Sequence, residues 1–168
     1  MKVNFLKFRT QSLLKRNKTS RTSIPYKEAT SIGIVFSIED KTKHDSIKEF
    51  IKRLEADGKK VKVIAFLPKK KENYEFMFDF FTEDDLSFFG KNNSTQAVKF
   101  VATPFDILYY VDATPNSFIL NLIAASKAKF RIGKFWAEGQ PYFELMIESV
   151  GETNALMDEM YKYSSVLR

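Results

Sequence analysis

Residues 105–133 read FDILYYVDATPNSFILNLIAASKAKFRIG, and the order of patterns in this stretch decides the predicted fold. Its first part, Phe105 to Asp112, is an apolar run with the length of a buried strand. The next part starts with helix-capping residues, Thr114 or Asn116, and then carries apolar residues on nearly every face, which predicts a buried helix. KAKFRIG follows as a second strand. Strands joined through a helix are normally parallel, so the stretch predicts an α/β sheet.

The same alternation of strand and helix patterns occurs earlier in the chain. SIGIVFSI (31–38) and KVKVIAFL (60–67) are apolar runs typical of strands that are buried on both faces. Between them lies a helical pattern, for which Asp45 is the predicted cap and Gly58 the end. An amphipathic helix is predicted from residue 152 to 167. Together these elements predict a three-layer, Rossmann-like α/β sandwich with a mostly parallel sheet.

Two further strands are predicted at less central places. In residues 74–79, three aromatic side chains alternate with Glu75, Met77 and Asp79, which favours an edge strand with one polar face. YFELMIE (142–148) follows the strand KAKFRIG after only a short connection, too short for an ordinary parallel crossover. We therefore expect the last strand to be antiparallel or to lie at an edge. In KAKFRIG itself, Lys127, Lys129 and Arg131 stand at every second position, so they are predicted to share one face of a strand near the edge of the sheet.

The composition predicts a single folded body in a reducing compartment. The chain has 168 residues, 44% of them apolar and 15% aromatic, which is enough for a sizeable core and too much for disorder. The absence of cysteine excludes disulfides, thiolate metal sites and cysteine nucleophiles. We expect a cytoplasmic protein, with peripheral attachment to the inner membrane as an alternative.

The positive charge is concentrated at the N-terminus. Residues 1–27 hold eight Lys and Arg residues and no acid, whereas the other 141 residues hold 19 bases and 21 acids. This arm predicts an anionic partner: RNA or a ribosomal surface, the inner face of a membrane, or an acidic protein. An arm that packs on its own body or stays disordered is the alternative. The candidate contacts are the basic side chains of the arm: Lys2, Lys7, Arg9, Lys15, Arg16, Lys18 and Arg21.

The arm is also predicted to be helical. Leu6, Thr10 and Leu13 belong to a weakly apolar stripe that recurs at intervals of three and four, which favours a helix over residues 3–16. The polar segment after it is typical of a linker. The predicted organisation is thus a basic helix with its linker at 1–27 and a single α/β domain at 28–168.

A ligand crevice is expected where the parallel strands end, because ligands of open parallel sheets gather at the carboxyl edge. The candidates at those ends are Ser37, Asp112, Thr114 and Gly133. Asp112 suits a ligand hydroxyl, a metal or a proton, but the stronger interpretation is a cap that accepts N–H bonds from residues 114–116. His44, the one histidine, stands among charged residues and is predicted to lie on the surface.

Several motifs that carry chemistry are missing from the sequence. The first strand is not followed by the glycine-rich turn of a dinucleotide site, and GKNNS (90–94) lacks the loop and the Ser or Thr of a P-loop. The sequence contains no paired metal histidines, no nucleophile elbow and no motif that reads a DNA sequence. We therefore predict no catalytic residue, no cofactor and no metal.

Residues 105–133 resemble the N-terminal Rossmann-like half of heptosyltransferase-type glycosyltransferases, through a strand that ends in Asp112, a polar turn, a buried helix and a final Ile-Gly. The resemblance implies an α/β fold, in which Asp112 and Gly133 match as fold elements. In that family a second domain binds most of the nucleotide sugar. With TSIGIVFS (30–37) and the basic N-terminal helix, the whole chain also resembles an uncharacterised protein family of Bacteroidota, a domain of unknown function, which implies no activity.

Two functions of different class follow from these features. The first is a non-enzymatic binding or adaptor module whose basic N-terminal helix docks on an anionic partner. The alternative is a single-domain or degenerate enzyme that binds a nucleotide or a nucleotide sugar, with Ser37 and Asp112 lining its crevice. The absence of a phosphate-binding loop favours the first.

Overall fold

Helices and strands alternate along most of the chain. The computed structural model describes residues 2–71, 78–87 and 89–167. The helices are α1 (Lys2–Arg16), α2 (Lys41–Ala56), α3 (Thr95–Ala102), α4 (Ser117–Ala125) and α5 (Thr153–Ser164), with a short 3-10 helix at Glu83–Asp85. The strands are β1 (Ser31–Ser37), β2 (Lys60–Leu67), β3 (Asp79–Thr82), β4 (Ile107–Tyr110), β5 (Arg131–Lys134) and β6 (Leu145–Ile147).

The described strands form one parallel sheet in the order β3-β2-β1-β4-β5-β6. β1 lies in the middle, and it pairs with β2 from Ser31↔Lys60 and with β4 from Ile32↔Ile107. The strand order reverses between β1 and β4, and in Rossmann-like folds this reversal opens a crevice at the carboxyl ends of the two strands. The predicted Rossmann-like α/β sandwich is confirmed.

The direction of the last strand differs from the expectation. β6 lies at the edge of the sheet, as one alternative predicted, but it pairs with β5 in the parallel sense, so the antiparallel alternative is wrong. The chain returns through tight turns, in which Gly139 N–H donates to Trp136 O and Tyr142 N–H donates to Gly139 O. Phe143 then packs directly over Gly133, where an added Cβ would lie 2.5 Å from the ring. Compact turns over a glycine therefore replace a helical crossover.

The helices cover both faces of the sheet. Ile32, Ile34 and Phe36 of β1 point into a core that is shared with α2 and α5, whereas Val35 points into a second core that is shared with α3 and α4. Both sets are buried, as expected for a central parallel strand.

α4 is buried because it is covered from two sides. Ile119 and Ile123 are in the core next to the sheet, and α1 packs against the helix from outside. Leu6 of α1 is fully buried, and Leu13 and Leu14 pack against the same core. The burial of Leu6 alone contributes about 2 kcal/mol to the free energy of folding. The predicted stripe of α1 is thus the surface that holds it to the body.

Three local predictions need correction. α2 begins earlier than expected, because Asp40, not Asp45, is the N-cap and accepts a hydrogen bond from Lys43 N–H. Its end is as predicted, since Gly58 follows the C-cap with φ +81°. His44 is buried, with its ring centroid 5.3 Å from that of Phe78, so its predicted surface position is wrong. The earlier start places it on the inner face of the helix.

The third correction concerns the row of bases before Gly133. β5 begins only at Arg131, so Lys127 and Lys129 precede the strand and the three residues do not share a strand face. Arg131 is buried, and its guanidinium donates to Glu144 Oε1 at 2.8 Å. The predicted edge strand at 74–79 lies mostly outside the described residues, and its last residue, Asp79, is the first residue of the edge strand β3.

Candidate functional site

The first candidate site is the crevice at the carboxyl ends of β1 and β4. Asp112 follows β4 and accepts the Ser37 N–H at 2.9 Å through Oδ1 and 3.1 Å through Oδ2. The Lys43 ammonium, from the first turn of α2, donates to Asp112 Oδ1 at 2.5 Å and to Ser37 O at 2.7 Å. Asp112 is 3% exposed and Lys43 5%. The crevice is therefore closed at its centre by an internal ion pair.

This geometry overturns the predicted role of Asp112 as a helix cap. Asn116 is the N-cap of α4, as one alternative predicted, and its side chain accepts the N–H groups of Phe118 and Ile119. The Tyr110 hydroxyl serves the turn before it, because it donates to Thr114 O and accepts the Asn116 N–H. Asp112 instead joins the end of β4 to the end of β1.

The electrostatics of the crevice oppose an anionic ligand. Burial raises the pKa of the Asp112 carboxyl, while the Lys43 ammonium and the Ser37 N–H act against that shift. A cavity of about 240 Å³ adjoins the ion pair, and its rim carries the carboxylates of Glu39, Asp40 and Glu152. Since Lys43 already pairs with Asp112 and with Glu39 at 3.2 Å, a phosphate would meet more negative than positive charge there.

The structure brings together only two of the four predicted crevice residues. Ser37 and Asp112 are hydrogen-bonded to each other. Thr114 is exposed and touches the crevice only through the Tyr110 hydroxyl. Gly133 lies under Phe143, so its lack of a side chain serves packing. Lys43, which completes the site, was missed because the predicted cap at Asp45 placed this lysine before the helix.

The second candidate site is the outer face of α1. Side chains of the linker and of α4 hold the helix in place. Asn17 Nδ2 donates to Ala124 O at 2.9 Å and to Ser126 O at 3.0 Å, which satisfies carbonyls at the end of α4. Asn121 Nδ2 donates to Thr10 Oγ1 at 3.0 Å in the middle of the interface. These bonds join groups more than 100 residues apart, so α1 is an integral part of the described fold.

Most of the predicted basic contacts point outward from this helix. Lys7, Lys15, Arg16 and Lys18 are exposed and Arg9 is half-buried. None of these five forms an ion pair with any carboxylate in the described ranges 2–71, 78–87 and 89–167. The side chain of Lys2 lies outside the described part of the structure.

Arg21 differs from the other bases of the arm, because its guanidinium is engaged inside the molecule. It donates to Ser126 O at 2.9 Å and to Ala128 O, and it lies 3.9 Å from Glu144 Oε1. Burial, together with repulsion from Arg131, lowers the pKa of Arg21 to about 10 against the attraction of Glu144. Arg21 therefore fastens the linker to the loop that follows α4.

The whole helical layer around α1 is free of acid. The sequences of α1, α3 and α4 contain six Lys and Arg residues and no Asp or Glu. On the other face of the sheet, α2 and α5 contain five acids and six bases, and three of these bases, Lys43, Lys52 and Arg53, form ion pairs, as in Arg53–Asp158 at 2.9 Å. The acids of the α-helices are thus confined to one face of the sheet.

Residues distant in sequence extend this face. Gly90, at φ +78°, brings the loop 89–92 against α1, so close that an added Cβ would lie 3.3 Å from Leu6 Cα. The loop adds the exposed side chains of Phe89 and Lys91. A groove of about 160 Å³ runs between α1 and α3, with Leu13, Val98, Val101 and Leu122 at its base and Arg9 and Lys91 at its rim. No sequence signal indicated this contact, because about 80 residues separate the two segments.

The described ranges contain no group of three or more His, Asp or Glu side chains that could hold a metal ion. No helix among them has the length and apolarity needed to cross a membrane.

Comparison with known proteins identifies a family for the chain. Residues 2–167 match the model of a family described as a family of unknown function, DUF6913. No curated protein and no solved structure matches the chain. The expectation that the whole chain belongs to a family of unknown function is confirmed. The resemblance to glycosyltransferases stays a prediction.

Proposed function

Because the chain belongs to the DUF6913 family, which is one of unknown function, we propose its role from its surface: it is a non-enzymatic adaptor that binds RNA through the outer face of α1. The observation that carries the proposal is the acid-free helical layer of α1, α3 and α4: its exposed bases Lys7, Lys15 and Arg16 have no carboxylate partner among the residues that the structure describes. A surface of unneutralised bases raises the local concentration of polyanions and gains free energy when counterions are released.

The spread of the charges favours a polyanion over a single acidic group. Lys7 and Arg16 are nine residues apart on one helix, which corresponds to about 14 Å along its axis. Around the axis, Lys7 and Arg16 lie about half a turn apart, and Lys15 lies between them on the side that faces away from the buried stripe. Lys18 follows the helix, so an RNA strand that bends over this outer side can contact several of the bases with successive phosphates. A lone carboxylate of a protein would neutralise only one of these bases.

The packing of the apolar stripe of α1 and the polar C-terminal half of its outer face favour RNA over a membrane surface. An interfacial helix must turn its apolar stripe toward the lipid, but the stripe of α1 with Leu6 and Leu13 is packed against the body. Over its C-terminal half, the outer face offers Gln11, Lys15 and Arg16 instead. Amides and bases of this kind bind phosphate and sugar groups. Together with the absence of cysteine, this proposal places the protein in the cytoplasm.

A charge-reversal experiment with a matched control tests the proposal. In one variant Lys7, Lys15 and Arg16 are changed to Glu, and in the control Lys41, Lys52 and Lys162, which are exposed on α2 and α5, are changed to Glu. Both variants lower the formal net charge from +6 to zero. We expect the first to lose binding to a fluorescein-labelled 20-residue oligo(U) RNA at 100 mM salt, and the control to retain it.

Equal loss in both variants would contradict the proposal, because it would assign the binding to net charge alone. Deletion of residues 1–24 is a weaker test, since it uncovers the apolar side of α4 and is expected to destabilise the domain. Circular dichroism of both variants checks that the fold is intact.

The alternative, a nucleotide or nucleotide-sugar enzyme, finds support in the reversal of strand order between β1 and β4. The buried Lys43–Asp112 pair and the carboxylates of Glu39, Asp40 and Glu152 weigh against it. A thermal-shift panel of nucleotides and nucleotide sugars tests this alternative. A ligand at 100 times its Kd would stabilise the fold by about 2.7 kcal/mol, and no shift with any compound is the outcome we expect.

A further inference from the structure

Phenylalanine side chains are exposed at one end of the α1 face. Phe8 is 75% exposed, Phe89 68% and Phe5 38%. The described residues contain five exposed phenylalanines, and three of them lie at this corner. An exposed aromatic cluster of this size is uncommon on a surface that contacts only water, so it is a candidate binding surface.

The backbone positions of the three phenylalanines are set by α1 and by the loop that packs on it, and two of the rings contact each other. Phe5 and Phe8 are three residues apart on α1, so they lie on neighbouring turns. The ring of Phe89 stands 6.2 Å from that of Phe5 in an edge-to-face arrangement, at 78° between the ring planes. The next residue, Gly90, is buried against Leu6 and Arg9, which fixes the backbone of Phe89 to the helix. The aromatic corner, defined as Phe5, Phe8 and Phe89, therefore belongs to the same rigid surface as the bases.

Both segments that form the aromatic corner also carry basic residues. Lys7 and Arg9 flank Phe8 on α1, and Lys91 follows Phe89 by two residues. None of these three bases forms an ion pair within the described ranges of the chain. A ring with free cations beside it suits a ligand that offers a flat apolar surface next to negative charge. A nucleotide in a single strand has this combination, because its base can stack on the ring while its phosphates contact the cations.

We infer that the aromatic corner binds an unpaired base of single-stranded RNA by stacking on Phe8 and Phe89, while Lys7, Arg9 and Lys91 contact the adjoining phosphates. This inference rests on the proposed RNA binding and narrows it to single strands. Paired bases are stacked within the duplex and their faces are not available to a protein ring, so a duplex contacts only the cations.

The stacking step is tested by removing the rings without changing the charge. The variant Phe8→Ala/Phe89→Ala lowers the affinity for a 12-residue single-stranded RNA roughly 5- to 100-fold, because each stacked base contributes substantially to single-strand affinity. Its affinity for the same sequence annealed to its complement is unchanged, and so is the dependence of binding on salt. Phe135→Ala, which removes an exposed phenylalanine in the loop between β5 and β6, is the matched control and binds like the wild type.

A tryptophan at the corner provides a direct spectroscopic readout. The chain has one tryptophan, Trp136, which packs against Tyr142 and Phe143. Phe8→Trp adds an exposed indole, whose fluorescence is obtained by subtracting the wild-type signal of Trp136. We expect this added fluorescence to be quenched when the single-stranded RNA is added. Retained affinity in Phe8→Trp together with loss in the alanine variant identifies an aromatic stacking contact.

The results separate the inference from the function on which it rests. If the Lys7, Lys15 and Arg16 reversal abolishes binding and the alanine variant binds single strands like the wild type, the inference is overturned and RNA binding stands. If neither variant changes RNA binding, both are overturned. If the alanine variant changes only flotation with vesicles of 30% phosphatidylglycerol in phosphatidylcholine, the corner contacts lipid and the inference is overturned.

Discussion

The two candidate surfaces of this molecule use their charges in opposite ways. At the carboxyl ends of β1 and β4, the Lys43 ammonium and the Asp112 carboxylate are buried, bonded to each other and to Ser37. On the outer face of α1, exposed bases such as Lys7 and Lys15 have no carboxylate partner in the described part of the chain. The polar groups at the crevice where Rossmann-like folds bind ligands are thus satisfied within the molecule, whereas the bases of α1 are exposed to solvent.

The largest expected effect tests whether the crevice pair is structural. Lys43→Met leaves Asp112 buried without its counterion, and we expect the free energy of unfolding to fall by about 3–5 kcal/mol. The double variant Lys43→Met/Asp112→Asn removes both charges and should regain a large part of that loss. Urea denaturation measures both. Lys15→Met on the α1 face is the control and should stay within about 0.5 kcal/mol of the wild type.

The second prediction tests whether α1 is part of the fold or a detached arm. Leu6→Ala removes a buried side chain from the interface with α4 and should cost about 2–5 kcal/mol. Val3→Ala on the same helix removes an exposed side chain and should change the stability by less than about 0.5 kcal/mol. Equal midpoints of urea unfolding for the two variants would contradict the packing of α1 against α4.

The third prediction concerns the pH dependence of stability. It rests on His44, which follows Lys43 directly in α2. Burial, with repulsion from Lys48 against attraction by Asp45, lowers the pKa of His44. A histidine whose folded pKa is lowered stabilises the fold above its unfolded pKa of about 6.5, and this stability is lost as the pH falls through the folded pKa. We therefore expect the urea midpoint to fall between pH 7 and pH 5. His44→Gln should show a smaller fall; an identical fall would rule out this histidine as its source.

The smallest expected effect is at Asp57, which is exposed at the end of α2. The Tyr161 and Tyr26 hydroxyls donate to Asp57 Oδ2 at 2.6 and 2.7 Å, and these hydrogen bonds lower the pKa of the carboxyl against the effect of burial. The stability it contributes is present above the ordinary pKa of about 3.9 and is lost as the pH falls through the lowered value. NMR titration of the carboxyl carbon should give a higher pKa in Tyr161→Phe than in the wild type; equal values would contradict the hydrogen bond.

The strands and helices that could be predicted from the sequence are those with strong local patterns. The apolar runs at β1, β2 and β4 predicted central parallel strands, and the all-round apolar pattern of α4 predicted a buried helix. α3 was missed because it has only eight residues and exposes Val98 and Lys99 between its buried positions. The parallel direction of β6 could not be predicted either, since it depends on the packing of Phe143 over Gly133.

The candidate sites were harder to predict, because their partners are distant in sequence. Lys43 and Asp112 are 69 residues apart, and a carboxylate before a helix has a common local explanation as a cap. The cluster of bases at the N-terminus could be predicted from the sequence. The contact of α1 with α4 and the addition of Lys91 to the basic face could not, because both depend on tertiary packing. Local patterns thus predict elements, whereas the pairing of charges requires the fold.

The salt dependence of RNA binding tests the central claim most directly. For single-stranded RNA, each neutralised phosphate contributes about 0.7 to the slope of log K against log salt concentration. We predict that, at salt concentrations low enough for the variant with Lys7, Lys15 and Arg16 changed to Glu to bind oligo(U), its slope is less steep than that of the wild type by roughly 2, and that the Lys41, Lys52 and Lys162 control keeps the wild-type slope. Equal slopes for the two variants would contradict the assignment of the anionic partner to the α1 face.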